Sequence, residues 1–149
     1  VDFPGPVPPE RVASLLSTAH ALLAPSVVDR DGNRESGLIV VKEASASGAV
    51  PIGSRHGGIP EIIDDEVTGY LVAERDVDAL GDRLRRLARD PDLRNSLAFA
   101  GRAKMEREYD NRVRVAALEE IYDEVRLQWA EDKTRLPSGT KRGTVVDSG

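Results

Sequence analysis

Short apolar runs and helical stripes alternate through the first half of the chain. The runs, each of three to five residues, lie at residues 1–3, 21–24, 49–53 and 70–72, and they predict buried strands. Helices are predicted between them over residues 8–18 and 38–47, and from Pro60 onward. Strands that alternate with helices indicate βαβ units. The pattern therefore predicts an α/β fold with a Rossmann-like parallel sheet and flanking helices.

The second half of the chain carries three helical stripes in succession. The first is capped by Asp76 or Asp78 and ends before Pro91, and the second ends near Tyr109. The third has apolar residues at spacings of three and four over residues 115–129. Three helices in a row at the C-terminal end depart from the regular alternation of strands and helices. We expect the last two to pack across the sheet or to reach toward another domain.

Composition is that of an ordinary globular chain, because 40% of the 149 residues are hydrophobic and 32% are charged. Residues 1–132 are predicted to form one partial Rossmann-like domain. Apolar content falls after Asp132, which predicts a disordered tail over residues 133–149. The chain begins with Val1 instead of methionine, and we expect it to be a piece of a longer protein.

Charge and cysteine content exclude several classes of function. The net charge is −5 and basic residues are scattered among acids, which argues against a nucleic-acid-binding surface. The chain has no cysteine, so it can form no disulfide and no zinc ribbon. No stretch of the given sequence resembles a signal peptide or forms an apolar run of about 18 residues. A cytoplasmic location is expected.

Two predicted helix starts carry the chemistry of the chain. The segment Ser36-Gly37-Leu38 precedes one helix, and Gly57-Gly58 precedes another. In a parallel sheet these positions lie beyond the carboxyl ends of the strands, where ligands bind. A helix start offers unpaired N–H donors and partial positive charge, and glycine lets the backbone approach an anion closely. Both starts therefore suit phosphate groups.

Two glutamates, Glu35 and Glu43, flank the first of these starts. A carboxylate repels a diphosphate, so its favoured partners are neutral sugar hydroxyls, which it can bind in a bidentate, charge-assisted way. A ligand with hydroxyls at both ends and phosphates between them fits this spacing. The prediction is a site for a nucleotide diphosphate sugar.

Simpler interpretations of the same residues stand beside this one. Glu35 could be an acid favoured by the helix dipole, and Glu43 a solvated side chain. Gly57-Gly58 could be only a turn before a helix. A single histidine such as His56 is more often a surface or loop residue, and His20 at a strand edge is expected to be structural.

In order along the chain, these motifs resemble the donor-binding C-terminal domain of family 4 retaining glycosyltransferases with the two-domain GT-B fold. The stretches that carry the resemblance are FPGPVPPERVASLLSTAHALLAPS, ESGLIVVKEASASGAVPIGS, GGIPEIIDDEVTGYLVAERDVDALGDRL, and AGRAKMEREYD followed by LEEIY. The resemblance implies transfer of a sugar from a nucleotide diphosphate sugar to an acceptor hydroxyl. It implies retention at the anomeric carbon, with no bound metal and no other cofactor.

The resemblance also implies roles for individual residues. Glu43 would bind the ribose hydroxyls, and Glu35 would lie against the donor sugar at the catalytic position. The backbone of Ser36, Gly37, Leu38 and Ile39 would follow the diphosphate. A phosphate or sugar loop is implied at His56, Gly57 and Gly58. Two details differ from the family pattern: Glu-Ser-Gly-Leu replaces Glu-Gly-x-Pro, and Lys42 stands at a usually apolar position.

The family's acceptor domain and the basic residues that neutralise the diphosphate would precede Val1. We therefore expect the chain to be inactive by itself and to act with an acceptor domain or partner chain. Self-association through an open sheet edge is a further expectation, and membrane association would need segments outside this sequence. The alternatives are a non-catalytic Rossmann-like interaction module, one chain of a split enzyme, and a sugar-nucleotide epimerase. The sugar, the base and the acceptor stay open.

Overall fold

The computed structural model describes residues 4–32 and 38–135. Within these ranges the elements are α1 Pro9–Leu16, β1 Ala21–Ala24, α2 Ile39–Ser47, β2 Val50–Ser54, α3 Ile59–Ile62, β3 Tyr70–Val72, α4 Val77–Arg89, α5 Pro91–Glu108 and α6 Asn111–Arg135. The predicted strand at 1–3, the site residues Glu35, Ser36 and Gly37, and the tail from residue 136 onward lie outside the described residues.

The three described strands form one parallel sheet in the order β1-β2-β3. Val50 opposes Ala21 on one side of β2, and Ile52 opposes Tyr70 on the other. The predicted α/β fold with a parallel sheet and flanking helices is confirmed. Because all three strands run the same way, their carboxyl ends meet at one edge of the sheet.

Several predicted boundaries shift by one or two residues, for local reasons. The first helix ends at Leu16 instead of residue 18, where the Ser17 and Thr18 hydroxyls donate to main-chain carbonyls of the last turn. The second strand begins at Val50, since the Ala49 N–H still donates to the Ala44 carbonyl at the end of α2. Gly48 ends α2 with φ of 87°, the left-handed conformation that favours glycine there.

The core lies on both faces of the sheet because side chains alternate along each strand. The cluster on one face joins α2, α3 and α5 to the sheet through Val41, Ile59, Ile62, Ile63, Leu71 and Met105. The cluster on the other joins α4 and α5 through Val50, Ile52, Tyr70, Leu87 and Leu97. Fully burying one such aliphatic or aromatic side chain stabilises a fold by about 1.5–3 kcal/mol. Helix α5 contributes to both clusters, so it packs across the sheet as expected.

The chain divides after Asp110 into two compact units. The first unit holds the sheet and α1 to α5. The second contains α6, which includes the predicted apolar positions 115–129 and continues to Arg135. The predicted domain limit at residue 132 stays a prediction. No described helix combines the length and apolar character needed to cross a membrane.

Candidate functional site at the carboxyl edge of the sheet

The start of α2 differs from other helix starts of the chain in its capping and charge. Leu38 is its N-cap residue in an extended conformation, and among the described residues no side chain caps it. Its first turn contains no acid, whereas α1 has Glu10 in its first turn and α4 and α5 are capped by Asp76 and Asp90. Side-chain capping and acids normally offset the positive end of the helix dipole. At α2 the described side chains leave that positive end available to an anion.

Glu43 lies on the exposed side of α2, one turn after the helix start, while Val41 and Ala44 anchor the opposite side in the core. The carboxylate of Glu43 is accessible to a ligand that contacts the same helix end.

The structure explains the unusual Lys42. Its ammonium lies 4.7 Å from the centre of the Tyr109 ring, and the Tyr109 hydroxyl donates to the Glu61 carbonyl of α3 at 3.2 Å. A cation over an aromatic face is a favourable electrostatic contact. Lys42 therefore links α2 to the end of α5 without requiring an apolar environment.

The loop after β2 has the predicted turn and helix start. Gly57 has φ of 50°, and Gly58 is the N-cap residue of α3, whose first turn contains Pro60. At the end of β2, a Cβ on Gly53 would lie 2.7 Å from Cγ2 of Ile59, so glycine permits α3 to pack directly on the sheet. Leu38 packs against the same buried cluster as Ile59. The two predicted helix starts are therefore neighbours at one edge.

His56 lies in the loop after β2, as one interpretation expects, but it is buried and not on the surface. Its side chain is 1% exposed, and Nδ1 lies 2.8 Å from Glu74 Oε1. The other carboxylate oxygen of Glu74 accepts from the Val28 N–H at 3.1 Å. Sequence patterns did not indicate Glu74. The available signal is its place two residues after β3, at the edge where all three strands end.

An apolar cleft of about 180 Å³ opens at the same edge, between the segment after β1 and the start of α4. Its lining includes Val27, Val72, Val77 and Leu80. Ligand pockets usually enclose about 300–1,000 Å³, so this cleft is too small for a whole nucleotide sugar. Among the described residues no group of three or more His, Asp or Glu side chains could hold a metal ion.

All six of the sequence-predicted site residues that are described belong to two segments at this edge. Leu38, Ile39 and Glu43 belong to the start of α2, and His56, Gly57 and Gly58 form the neighbouring loop. Glu35, Ser36 and Gly37 lie outside the described residues. The binding roles assigned to all nine stay predictions.

Comparison with known proteins identifies the family. Residues 1–104 match the family model described as glycosyl transferases group 1. The amylovoran biosynthesis glycosyltransferase AmsK of Erwinia amylovora is 34% identical over 116 residues, which cover 78% of this chain and 28% of AmsK. The chain spans less than a third of the length of the curated relatives it matches.

Solved structures show the same relationship. Sucrose-phosphate synthase from Thermosynechococcus elongatus superposes with a TM-score of 0.75 and 26% identity, covering 86% of this chain and 31% of that chain. The C-terminal domain of LpcC, a glycosyl transferase group 1 family protein from Francisella tularensis, superposes with a TM-score of 0.63 and 25% identity. That alignment covers 74% of this chain and 53% of that chain. The chain therefore belongs to the group 1 glycosyl transferases and forms part of a GT-B glycosyltransferase domain.

Proposed function

We propose that this chain binds the nucleotide diphosphate part of a sugar donor at the carboxyl edge of its sheet. In the longer protein it would serve a retaining transfer of the sugar to an acceptor hydroxyl. The open start of α2 would face the diphosphate, and Glu43 would accept hydrogen bonds from the ribose hydroxyls. Glu35 would contact the donor sugar.

The observation that carries this proposal is the combination at α2 of a start that no described side chain caps and an exposed glutamate one turn later. A bare helix N-terminus favours an anion, and a carboxylate favours a hydroxyl. A ribosyl diphosphate supplies both groups a few ångströms apart. Family membership makes a nucleotide sugar the natural source of that chemistry.

Two of the cations described at this edge are already engaged by other groups of the chain. Arg55, directly after β2, forms an ion pair with Asp65 at 2.6 Å, and Lys42 lies over Tyr109. The whole chain carries a net charge of −5. We infer that further cations must neutralise the diphosphate during transfer and that the chain alone has no transferase activity.

Nucleotide binding by this chain tests the proposal. UDP, GDP and their glucose and mannose conjugates are titrated by calorimetry, with thermal unfolding as a second readout. A ligand at 100 times its Kd stabilises the folded state by about 2.7 kcal/mol. Glu43→Ala should weaken binding by about 10- to 100-fold, because it removes charge-assisted hydrogen bonds worth about 1.5–3 kcal/mol.

The matched control is Glu120→Ala, which removes an exposed glutamate from the middle of α6. It should leave the Kd unchanged. Inorganic pyrophosphate should compete with the nucleotide if the diphosphate lies at the start of α2. Absence of binding at millimolar nucleotide, or equal losses in Glu43→Ala and Glu120→Ala, would contradict the proposal.

A further inference from the structure

Glu74 connects two loops that sequence patterns treat as unrelated. One oxygen of its carboxylate contacts His56 Nδ1 at 2.8 Å, and the other accepts from the Val28 N–H at 3.1 Å. The partners lie 18 and 46 residues away along the chain. An ionised carboxylate only accepts hydrogen bonds, so Nδ1 of His56 must carry the hydrogen of this contact.

Further hydrogen bonds fix the same three strand ends. The Ser54 hydroxyl donates to the Ser26 carbonyl, which ties β2 to the segment after β1. The Arg55 N–H donates to the Val72 carbonyl at 2.8 Å, which ties β2 to the end of β3. Glu74, which follows β3, adds its contacts with Val28 and His56 to these hydrogen bonds. Its carboxylate is partly sheltered, with 29% of the side chain exposed.

The backbone around Glu74 is held in a costly turn. The next residue, Arg75, has φ of 65°, a left-handed conformation that is uncommon for a side chain of this size. Such strain persists only where the surroundings determine it. Here the Asp76 N–H donates to the Ala73 carbonyl, and the Asp76 carboxylate caps α4 through the Ala79 N–H at 2.9 Å. This turn sets the position from which Glu74 reaches both loops.

Both loops lead to the predicted binding segments. Val28 belongs to the connection from β1 to α2, and His56 directly precedes Gly57 and Gly58. We propose that Glu74 is a positioning residue that holds the segment after β1 and the loop before α3 at a fixed separation at the donor edge of the sheet. This inference rests on the proposed function for its effect on binding, but the restraint itself can be measured without any ligand.

Amide hydrogen exchange of the free chain is the first test. Glu74→Ala should accelerate exchange at Val28 and at residues 56–58 by about tenfold, because it removes the hydrogen bonds of Val28 and His56 to one charged group. Glu74→Gln keeps the size and one acceptor, so it should produce a smaller effect. The matched control is Glu66→Ala, which removes another loop glutamate whose partner, Arg83, lies 2.8 Å away. It should leave these amides unchanged.

Affinity for UDP and GDP is the second test, read at a temperature where every variant is folded. Glu74→Ala and His56→Leu should each weaken binding by about tenfold, and the double variant should be no weaker than either single variant. His56→Asn places an amide donor near the former Nδ1 and should recover most of the affinity. Such a recovery would not be expected if His56 only filled space.

Two outcomes would overturn the inference. One is faster exchange confined to Val28, with residues 56–58 unchanged; the other is an equal effect of Glu66→Ala. If the unmodified chain binds neither nucleotide, the proposed function fails, and the exchange experiment alone then confirms or overturns the positioning role.

Discussion

Gly53 illustrates how a single hydrogen atom in place of a methyl group sets the geometry of the site. A Cβ at this position would lie 2.7 Å from Cγ2 of Ile59 and 3.2 Å from Cδ1 of Ile63. Neither neighbour can move freely, because both are buried in the core. We expect Gly53→Ala to lower the free energy of unfolding by about 1–3 kcal/mol through overpacking, measured by urea denaturation.

The same substitution at Gly81 is the control for this prediction. Gly81 lies inside α4, where a Cβ would meet only the mobile guanidinium of Arg85, at 3.4 Å. Gly81→Ala should therefore raise the free energy of unfolding by about 0.5–1 kcal/mol through helix propensity. Equal effects of the two substitutions would contradict the packing argument.

At the residue scale, the sequence indicates roles that depend on neighbouring residues better than roles that depend on a partner far along the chain. Gly48 as a helix end and Glu43 on an exposed helix face follow from neighbours within a few positions. The contact of buried His56 with Glu74 spans 18 residues of the chain, and no periodicity carries that information. Glu74 itself looks like an ordinary loop acid until the parallel sheet brings the strand ends together.

At the scale of elements, Lys104 shows how α5 is attached to the rest of the first unit. Its side chain is 6% exposed, and Nζ lies 2.6 Å from the Asp64 carboxylate, in the loop after α3. Asp64 is 49% exposed, so water reaches it from the other side. The second carboxylate near Nζ, that of Glu108, is 3.9 Å away. Lys104 therefore depends on Asp64 for charge compensation more than Asp64 depends on Lys104, because water can solvate the Asp64 carboxylate.

We expect the loss of Asp64 to lower the free energy of unfolding more than the loss of Lys104. Asp64→Ala leaves a buried ammonium with its weaker partner and should cost about 1–3 kcal/mol. Lys104→Met fills the same volume and leaves a carboxylate that water can solvate, so it should cost less than about 1 kcal/mol. Combining Lys104→Met with Asp64→Ala should recover part of the loss from Asp64→Ala alone.

Urea unfolding of the two single variants and the double variant measures this asymmetry. Arg102→Met is the control, because it removes an exposed ion pair with Glu106 on the same helix. Such surface pairs contribute about 0–1 kcal/mol. The argument fails if Lys104→Met proves more destabilising than Asp64→Ala.

Element type and approximate limits could be predicted because each signal is local. The strands at 21–24 and 70–72 were placed correctly, and the helix ends shifted only where side chains or capping backbone groups intervened. The sequence predicts that α5 packs across the sheet, but it does not predict which buried residues α5 contacts. Those contacts join Leu97 and Met105 to strands far away in sequence.

At the scale of the whole molecule, alternation of strands and helices predicted a parallel sheet, and the three strands form one. The order in which they pair was not predicted, because it is decided by which apolar faces meet after collapse. The site follows from the same topology. Three loops that are distant in sequence meet at one edge of the sheet. The sequence indicates only the helix starts that follow these loops, through their glycine and capping patterns.

The first unit should fold without the residues that follow it. Its three buried clusters draw their members from residues 12–109, on both faces of the sheet and between α1 and α2. A chain of this size buries enough apolar surface to be stable. We therefore expect a chain ending at Asp110 to unfold in one cooperative transition, with an m-value of about 1 kcal/mol per M in urea.

The tyrosines provide a specific probe for this experiment. Ending the chain at Asp110 removes Tyr122 and Trp129 and leaves Tyr70, buried against Leu87 and Leu97, and Tyr109, beside Lys42. Tyrosine fluorescence then reports both faces of the sheet, while far-ultraviolet circular dichroism reports the helices. Coincident transitions would show that both core clusters unfold together with the helices. A tyrosine transition that precedes the loss of helix would show that the core of this unit is not complete within residues 1–110.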